Sequence, residues 1–233
     1  MFQQLKALFS GQLPRAIFFD LDGTLVDSVP DLAAALDAAL EDCALAKVGV
    51  DNTKLWVGNG AQVLVQRACQ YLNQPGTVIQ SQVFQRFLYH YGHLPTEQKA
   101  SCLYPGVLEV LTQLSSAGIL LAVVTNKPQQ FTPAILDNLS IDKFFSVVVC
   151  GDSVDEKKPS AKPLHCALRL FAERGVSLTV NDCLMVGDSK NDILAAKACG
   201  MKSASVAWGY NHGEPVERYQ ADMHIEALLD LLA

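Results

Sequence analysis

Asp20 and Asp22 stand two residues apart, directly after the apolar run Ala16-Ile17-Phe18-Phe19. Two such carboxylates suit a division of labour: one attacks, the other moves protons, and both can help hold a cation. Gly23-Thr24 follows, and a tight turn there leaves backbone N–H groups free. Three other polar groups deserve the same reading. Thr125-Asn126-Lys127 follows an apolar run at 119–124, and a small hydroxyl residue with backbone amides can hold a phosphoryl oxygen. Lys157, Lys158 and Lys162 cluster before a helical stretch, where a cation would balance converging carboxylates and phosphoryl charge. Asp188 and Asp192 follow a fourth apolar run at 183–186, with Ser189 or Asn191 able to cap the next helix. Taken singly, each acid could be a turn or helix cap, each threonine a satisfied strand end, and each lysine a solvated charge.

Position argues for more. A carboxylate that ends a buried strand lies at the sheet's carboxyl edge, where open α/β sheets place their ligands. The sequence predicts strands over 16–19, 119–124, 145–149, 183–186 and 201–207. Helices are predicted over 107–116, 129–138, 164–173, 193–199 and 225–232. That alternation implies an α/β fold, a doubly wound parallel sheet with helices on both faces. The stretch 29–103 breaks the pattern. Leu32, Ala35, Leu36, Ala39 and Leu40 repeat at helical spacing behind Pro30, and further helices are predicted over 60–71 and 78–91. Residues 29–103 are therefore expected to form an inserted helical module, with 1–28 and 104–233 forming the core. Gly58-Asn59-Gly60 opens the second of these helices, and its N–H groups could meet an anion; Arg67 is a weaker donor on the same helix. A flexible helix start without a ligand is the alternative. His90 and His93 read as solvated loop-end histidines.

Composition narrows the partners. The chain has 233 residues, half of them hydrophobic, a net charge of −6 and a pI near 5.3. It can bury a sizeable core, and with no Lys/Arg run it is not expected to bind nucleic acid or an anionic membrane. Seven cysteines without C-x-x-C spacing read as reduced core thiols of a cytoplasmic protein. No apolar run reaches membrane-spanning length, and the first fifteen residues lack a signal-peptide pattern.

The string D-L-D-G-T-L-V-D-S at residues 20–28 resembles the first motif of the haloacid dehalogenase superfamily, most of whose members transfer phosphoryl groups through an aspartyl-phosphate. Thr125-Asn126 resembles its second motif, Lys158-Pro159 its third and Gly187-Asp188-Ser189-Lys190-Asn191-Asp192 its fourth, in family order. The resemblance implies a phosphatase fold, with the 29–103 insertion as the helical cap of subfamily I. It implies Asp20 as nucleophile, Asp22 as acid and base, and Mg²⁺ on Asp20, the Asp22 backbone carbonyl and Asp188. Thr125 and Lys158 would hold the transferred oxygens, with Thr24, Asn126 and the Gly58-Asn59-Gly60 turn also contacting substrate. Asp192 would support Asp188 or pair with the lysine. The third motif departs from the family pattern: Ala161 stands where a second Pro is usual, so Lys162 or Lys157 remain alternatives to Lys158. Trp56-Val57-Gly58-Asn59-Gly60-Ala61 and Gly209-Tyr210-Asn211 are similar to stretches of phosphoglycolate phosphatases, implying a small phosphorylated metabolite, 2-phosphoglycolate, as substrate. Other readings are a phosphatase for a sugar phosphate or pyrophosphate, a β-phosphoglucomutase-like isomerase, or a non-catalytic binding module. Such mutases resemble one another in having His and Arg soon after the first motif, and Pro30 to Ala39 contains neither.

Overall fold

Ala16–Phe19 (β1) is apolar on both faces and wholly buried. Alternate side chains of a strand point to opposite sides, so Ile17 and Phe19 enter one core while Ala16 and Phe18 enter another. Two-sided burial of this kind belongs to parallel sheets covered by helices. The computed structural model describes residues 1–95 and 99–233; the part of the 29–103 insertion at 96–98 lies outside them.

β2 (Val26–Asp27) and β3 (Cys102–Leu103) pair antiparallel as a small ribbon. β4 (Leu120–Val124), β5 (Val147–Val149), β6 (Cys183–Gly187), β7 (Lys202–Val206) and β8 (Met223–Ile225) join β1 in a parallel sheet ordered β5-β4-β1-β6-β7-β8. The short helix α1 (Gln3–Leu8) precedes them, and α2 (Val29–Asp42), α3 (Gly49–Trp56), α4 (Ala61–Tyr71) and α5 (Thr77–Gly92) lie between the two ribbon strands. After the ribbon come α6 (Val107–Ser116), α7 (Thr132–Asn138), α8 (Lys162–Glu173) and α9 (Lys190–Cys199). Val107, Val110, Leu111 and Leu114 of α6 cover one sheet face; Leu164, Ala167 and Phe171 of α8 and Ala195 and Ala196 of α9 cover the other. The fold is the expected doubly wound α/β sheet.

Helices α2 to α5 have a core of their own, built on Leu36, Ala39, Leu40, Leu64, Val65, Ala68, Val83 and Phe87. Phe131 and Tyr210 join that cluster from the sheet side. Where the chain leaves and re-enters, the Asp31 carboxylate accepts from the N–H groups of Ala100 at 2.6 Å and Ser101 at 3.2 Å, and from the Ser101 hydroxyl.

Besides α1 and the β2–β3 ribbon, which the sequence pattern did not mark, three elements differ from expectation. Residues 225–232 do not form a helix: Met223–Ile225 is a sixth strand paired with β7, and Leu228–Leu232 is a 3₁₀ turn. Leu228 and Leu231 are buried, and their three-residue spacing suits a 3₁₀ turn as well as a helix. α3 was not anticipated, because Thr53 is its one buried residue and it carries no apolar stripe. α7 starts at Thr132; the residues before it form a turn in which the Phe131 and Thr132 N–H groups reach the Pro128 carbonyl at 3.2 and 3.3 Å. The seven cysteines are free thiols, with Cys102 exposed. No described helix is long and apolar enough to cross a membrane.

Candidate active site

β1, β4 and β6 are neighbours, and Phe19 is level with both Val123 and Val186. The residues that follow these strands, Asp20, Thr125 and Asp188, therefore meet at one carboxyl edge. Strand order runs outward from β1 through β4 to β5 on one side and through β6 to β8 on the other. The reversal opens a crevice there, as the rule for open α/β sheets requires.

Asp20 Oδ1 accepts the Leu21 N–H at 2.8 Å and lies 3.0 Å from Lys158 Nζ. Oδ2 has no partner among the described residues. Burial pushes the Asp20 carboxyl up to about 7, against the pull of Lys158 and with a further push from Asp192. Lys158 Nζ also donates to Asp192 Oδ1 at 2.6 Å and to the Val124 carbonyl at 2.6 Å. Burial works to remove its proton, but Asp192 and Asp20 outweigh burial and hold the ammonium above its usual range. Asn126 fixes the lysine's backbone, Oδ1 accepting its N–H at 3.0 Å and Nδ2 donating to its carbonyl at 3.0 Å. Lys162, by contrast, is exposed and pairs with Asp155 at 2.9 Å and Glu156 at 2.5 Å. Lys157 is half-buried, its ammonium lying against Gly60.

Asp188 Oδ1 accepts from the Thr24 hydroxyl at 2.9 Å and Oδ2 from the Tyr210 N–H at 2.7 Å. The chain approaches this carboxylate so closely that a Cβ on Gly209 would stand 2.0 Å from Asp188 Cβ. Burial, then Asp192 and Asp20, raise the Asp188 carboxyl well above the ordinary range. Thr24, expected against substrate, is fully buried with its hydroxyl committed to Asp188. Asp192 Oδ2 accepts from the Ser189 N–H at 3.0 Å and hydroxyl at 2.9 Å, closing a capping box at the start of α9. Ser189, not Asn191, is the cap.

Carboxylate oxygens of Asp20, Asp188 and Asp192 all lie within 4.8 Å of one another. Three buried acids share one buried ammonium, Lys158, and the donors are all oxygen. That deficit of positive charge and that donor set fit a hard divalent cation. Asp192 accepts three hydrogen bonds, Asp188 one on each oxygen, and Asp20 none on Oδ2 among the described residues, so Asp20 and Asp188 have more lone pairs to offer.

Asp22 is held differently. Ser28 Oγ donates to its Oδ1 at 2.5 Å, and Lys127 Nζ lies 3.0 and 3.1 Å from its two oxygens. The Lys127 ammonium also sits 4.8 Å from the centre of the Tyr91 ring. Burial opposes its charge, but Asp22 and Tyr91 together outweigh burial and hold the ammonium above its usual range. The sequence reading missed Lys127; its place two residues after Thr125, on the same strand end, was the available signal. Thr125 lines the crevice, its Oγ1 accepting the Lys127 N–H at 3.2 Å.

Across the crevice, the Gly58 carbonyl accepts from Asn126 Nδ2 at 2.9 Å and Asn191 Nδ2 at 3.1 Å. Gly58 and Gly60 adopt φ of +116° and +87°, which a side chain would strain. Both line the crevice, whereas Asn59 and Arg67 do not. Arg67 braces the turn instead, donating to Asn59 Oδ1 at 2.9 Å and the Trp56 carbonyl at 2.8 Å. Between the two sides lies a cavity of ≈ 40 Å³, bounded by Asp20, Asp22, Thr125 and Lys127 below and by Val57, Leu64, Phe87 and Tyr91 above.

This fold and site define a hydrolase class. Residues 17–206 match the family model for haloacid dehalogenase-like hydrolases, and the chain belongs to that family. It is a phosphatase of the family. The phosphoglycolate phosphatase of Pseudomonas fluorescens is 38% identical over 97% of this chain and 82% of its own length. That of Colwellia psychrerythraea is 39% identical over 95% and 96%. A predicted phosphoglycolate phosphatase from Haemophilus somnus, solved by crystallography, superposes with a TM-score of 0.86 at 36% identity, over 94% of this chain and 96% of its own.

Proposed function

We propose that this chain is a Mg²⁺-dependent phosphomonoester hydrolase that works through an aspartyl-phosphate and takes 2-phosphoglycolate as its substrate, releasing glycolate and phosphate in the cytoplasm. The observation that carries the chemistry is the buried Asp20 carboxylate beside the cavity it lines, one oxygen fixed by Leu21 and Lys158 and the other without a partner among the described residues. Asp20 attacks phosphorus in line with the ester oxygen. Asp22 protonates that oxygen as glycolate leaves, then takes a proton from the water that opens the aspartyl-phosphate and restores Asp20. Thr125 and Lys158 hold the transferred oxygens, and Asn126 keeps Lys158 in place. Asp20, the Asp22 backbone carbonyl and Asp188 would hold Mg²⁺, with Asp192 fixing the lysine; when bound, the cation draws charge from the phosphoryl oxygens.

The substrate rests on two supports. Relatives at 38% and 39% identity carry the name phosphoglycolate phosphatase. The cavity beside Asp20 and Asp22 is small, ≈ 40 Å³, which favours a compact leaving group over a bulky one. Residues 29–103 act as the cap, with 1–28 and 104–233 as the catalytic core, and closure of the Gly58-Asn59-Gly60 turn excludes water.

The test is phosphate release with Mg²⁺ across 2-phosphoglycolate, pyrophosphate and hexose phosphates, with a chelator control. Phosphoglycolate should give the highest kcat/KM, and chelator should abolish it. A tenfold preference for another substrate, roughly 1.4 kcal/mol, would leave only the phosphatase class standing.

A further inference from the structure

Lys127 is the second buried ammonium beside the crevice, and the reaction proposed above gives it no phosphoryl oxygen to hold. Lys158 already faces Asp20 and Asp192. Lys127 lies at the other end, with a side chain 3% exposed, against both oxygens of Asp22. Beside it Tyr91 is nine-tenths buried and lines the same cavity. The Lys127 ammonium beside it can only donate, and the buried Tyr91 hydroxyl finds no acceptor for its own proton among the described residues. A buried hydroxyl without a partner is rare and marks a place where a ligand or water supplies one.

Of the other residues that line the cavity, Thr125 and Asn126 are polar, the Asn126 amide being committed to Gly58 and Lys158, and most of the rest are apolar. Val57, Ala61, Leu64, Phe87 and Phe131 line it, and none could recognise the hydroxyl groups of a sugar. What the end does offer is one positive charge, one spare hydroxyl and very little room.

We propose that Lys127 and Tyr91 recognise a carboxylate on the leaving-group side of the substrate and so set specificity for small phosphorylated acids. This rests on the phosphoglycolate reading above. In the ligand-free chain Asp22 occupies the Lys127 ammonium. An entering carboxylate shares or takes over that ammonium and accepts the Tyr91 O–H, with no bond made or broken. A neutral alkyl phosphate has nothing to exchange with Asp22 and leaves Tyr91 unpartnered, so it binds poorly although its phosphoryl group is identical.

The test compares kcat/KM for 2-phosphoglycolate and for ethyl phosphate, the same two-carbon skeleton without the carboxylate. It is run on the wild type, Lys127→Met and Tyr91→Phe. Because Lys127 also holds Asp22, both substrates should lose rate in Lys127→Met. The phosphoglycolate value should fall a further tenfold to hundredfold, roughly the worth of a charged hydrogen bond, and mainly through KM. Tyr91→Phe should shift the same ratio in the same direction by less. Equal losses for the two substrates in Lys127→Met would reduce the lysine to a support for Asp22 and overturn the proposal. If that variant does not fold, Tyr91→Phe decides, and an unchanged ratio overturns it. A wild type that prefers ethyl phosphate would sink the substrate reading along with this one. A wild type that prefers phosphoglycolate, with equal losses in the variant, would sink the lysine's role alone.

Discussion

Lys158 Nζ stands 3.0 Å from Asp20 Oδ1 while its other contacts, Asp192 and the Val124 carbonyl, both lie at 2.6 Å. The ammonium is thus anchored from behind and presented to the proposed nucleophile. Lys158→Ala should lower kcat by about 10²- to 10³-fold, the cost of removing a preorganised charge from a water-excluded site. Lys162→Ala should change kcat less than twofold, roughly the effect of deleting an exposed ion pair. Steady-state kinetics on the two variants check this; the reverse ranking would move the phosphoryl-binding role to Lys162.

Asp20→Asn should abolish turnover, since an amide does not attack phosphorus. Asp22→Asn should keep a slow reaction whose rate depends on the leaving group. Aryl phosphates, which depart without a proton, should be hurt less than alkyl phosphates. Equal losses across a leaving-group series would remove Asp22 from the proton-transfer step.

The acids also predict how the protein responds to pH. Burial raises Asp20 from 3.8 to about 7. Between those values the folded chain binds this proton more tightly than the unfolded chain does. Raising the pH through that window therefore destabilises the metal-free fold. A bound divalent cation competes with the proton and reverses the trend. Thermal melts in chelator and in Mg²⁺ should diverge as pH rises from about 4 to 7. A gap that stays constant or narrows would contradict this account.

Gly58→Val places a β-branched side chain at φ +116°, with its Cβ 3.3 Å from His212 Cε1. The turn must shift, and its carbonyl loses Asn126 and Asn191. KM for phosphoglycolate should rise several-fold with kcat less affected, while p-nitrophenyl phosphate, whose aryl group carries no carboxylate, should be nearly unchanged. An unaltered KM for phosphoglycolate would mean that the docked turn plays no part in binding.

Much of this arrangement was legible before any coordinates. Apolar runs that stop at a polar residue marked β1, β4 and β6, because a strand buried on both faces leaves no doubt about where burial ends. The acids and Thr125 then followed from position alone. Partners were harder to read. Thr24 gives its hydroxyl to Asp188 across 164 residues of chain, and Lys127 reaches Asp22 across 105. No local pattern encodes contacts of that range. Arg67 was misjudged for a related reason: helical spacing places it near the turn, but only the fold shows that it faces Trp56 and Asn59. The C-terminal strand was lost because three residues at a sheet edge carry too short a pattern.

The pairing of β2 with β3 has a wider consequence. Val26 meets Leu103 and Asp27 meets Cys102, so the chain departs and returns through one stitched point a few residues beyond Asp22. To the sheet, everything between is a loop whose ends are already tied, and the entropy of closing a loop grows only slowly with its length. The insertion is therefore free to be longer, shorter or differently helical without disturbing the strand edges that carry Asp20, Thr125 and Asp188. The fold of the insertion and the fold of the sheet are specified in separate stretches of chain, and one can be exchanged while the other stays fixed.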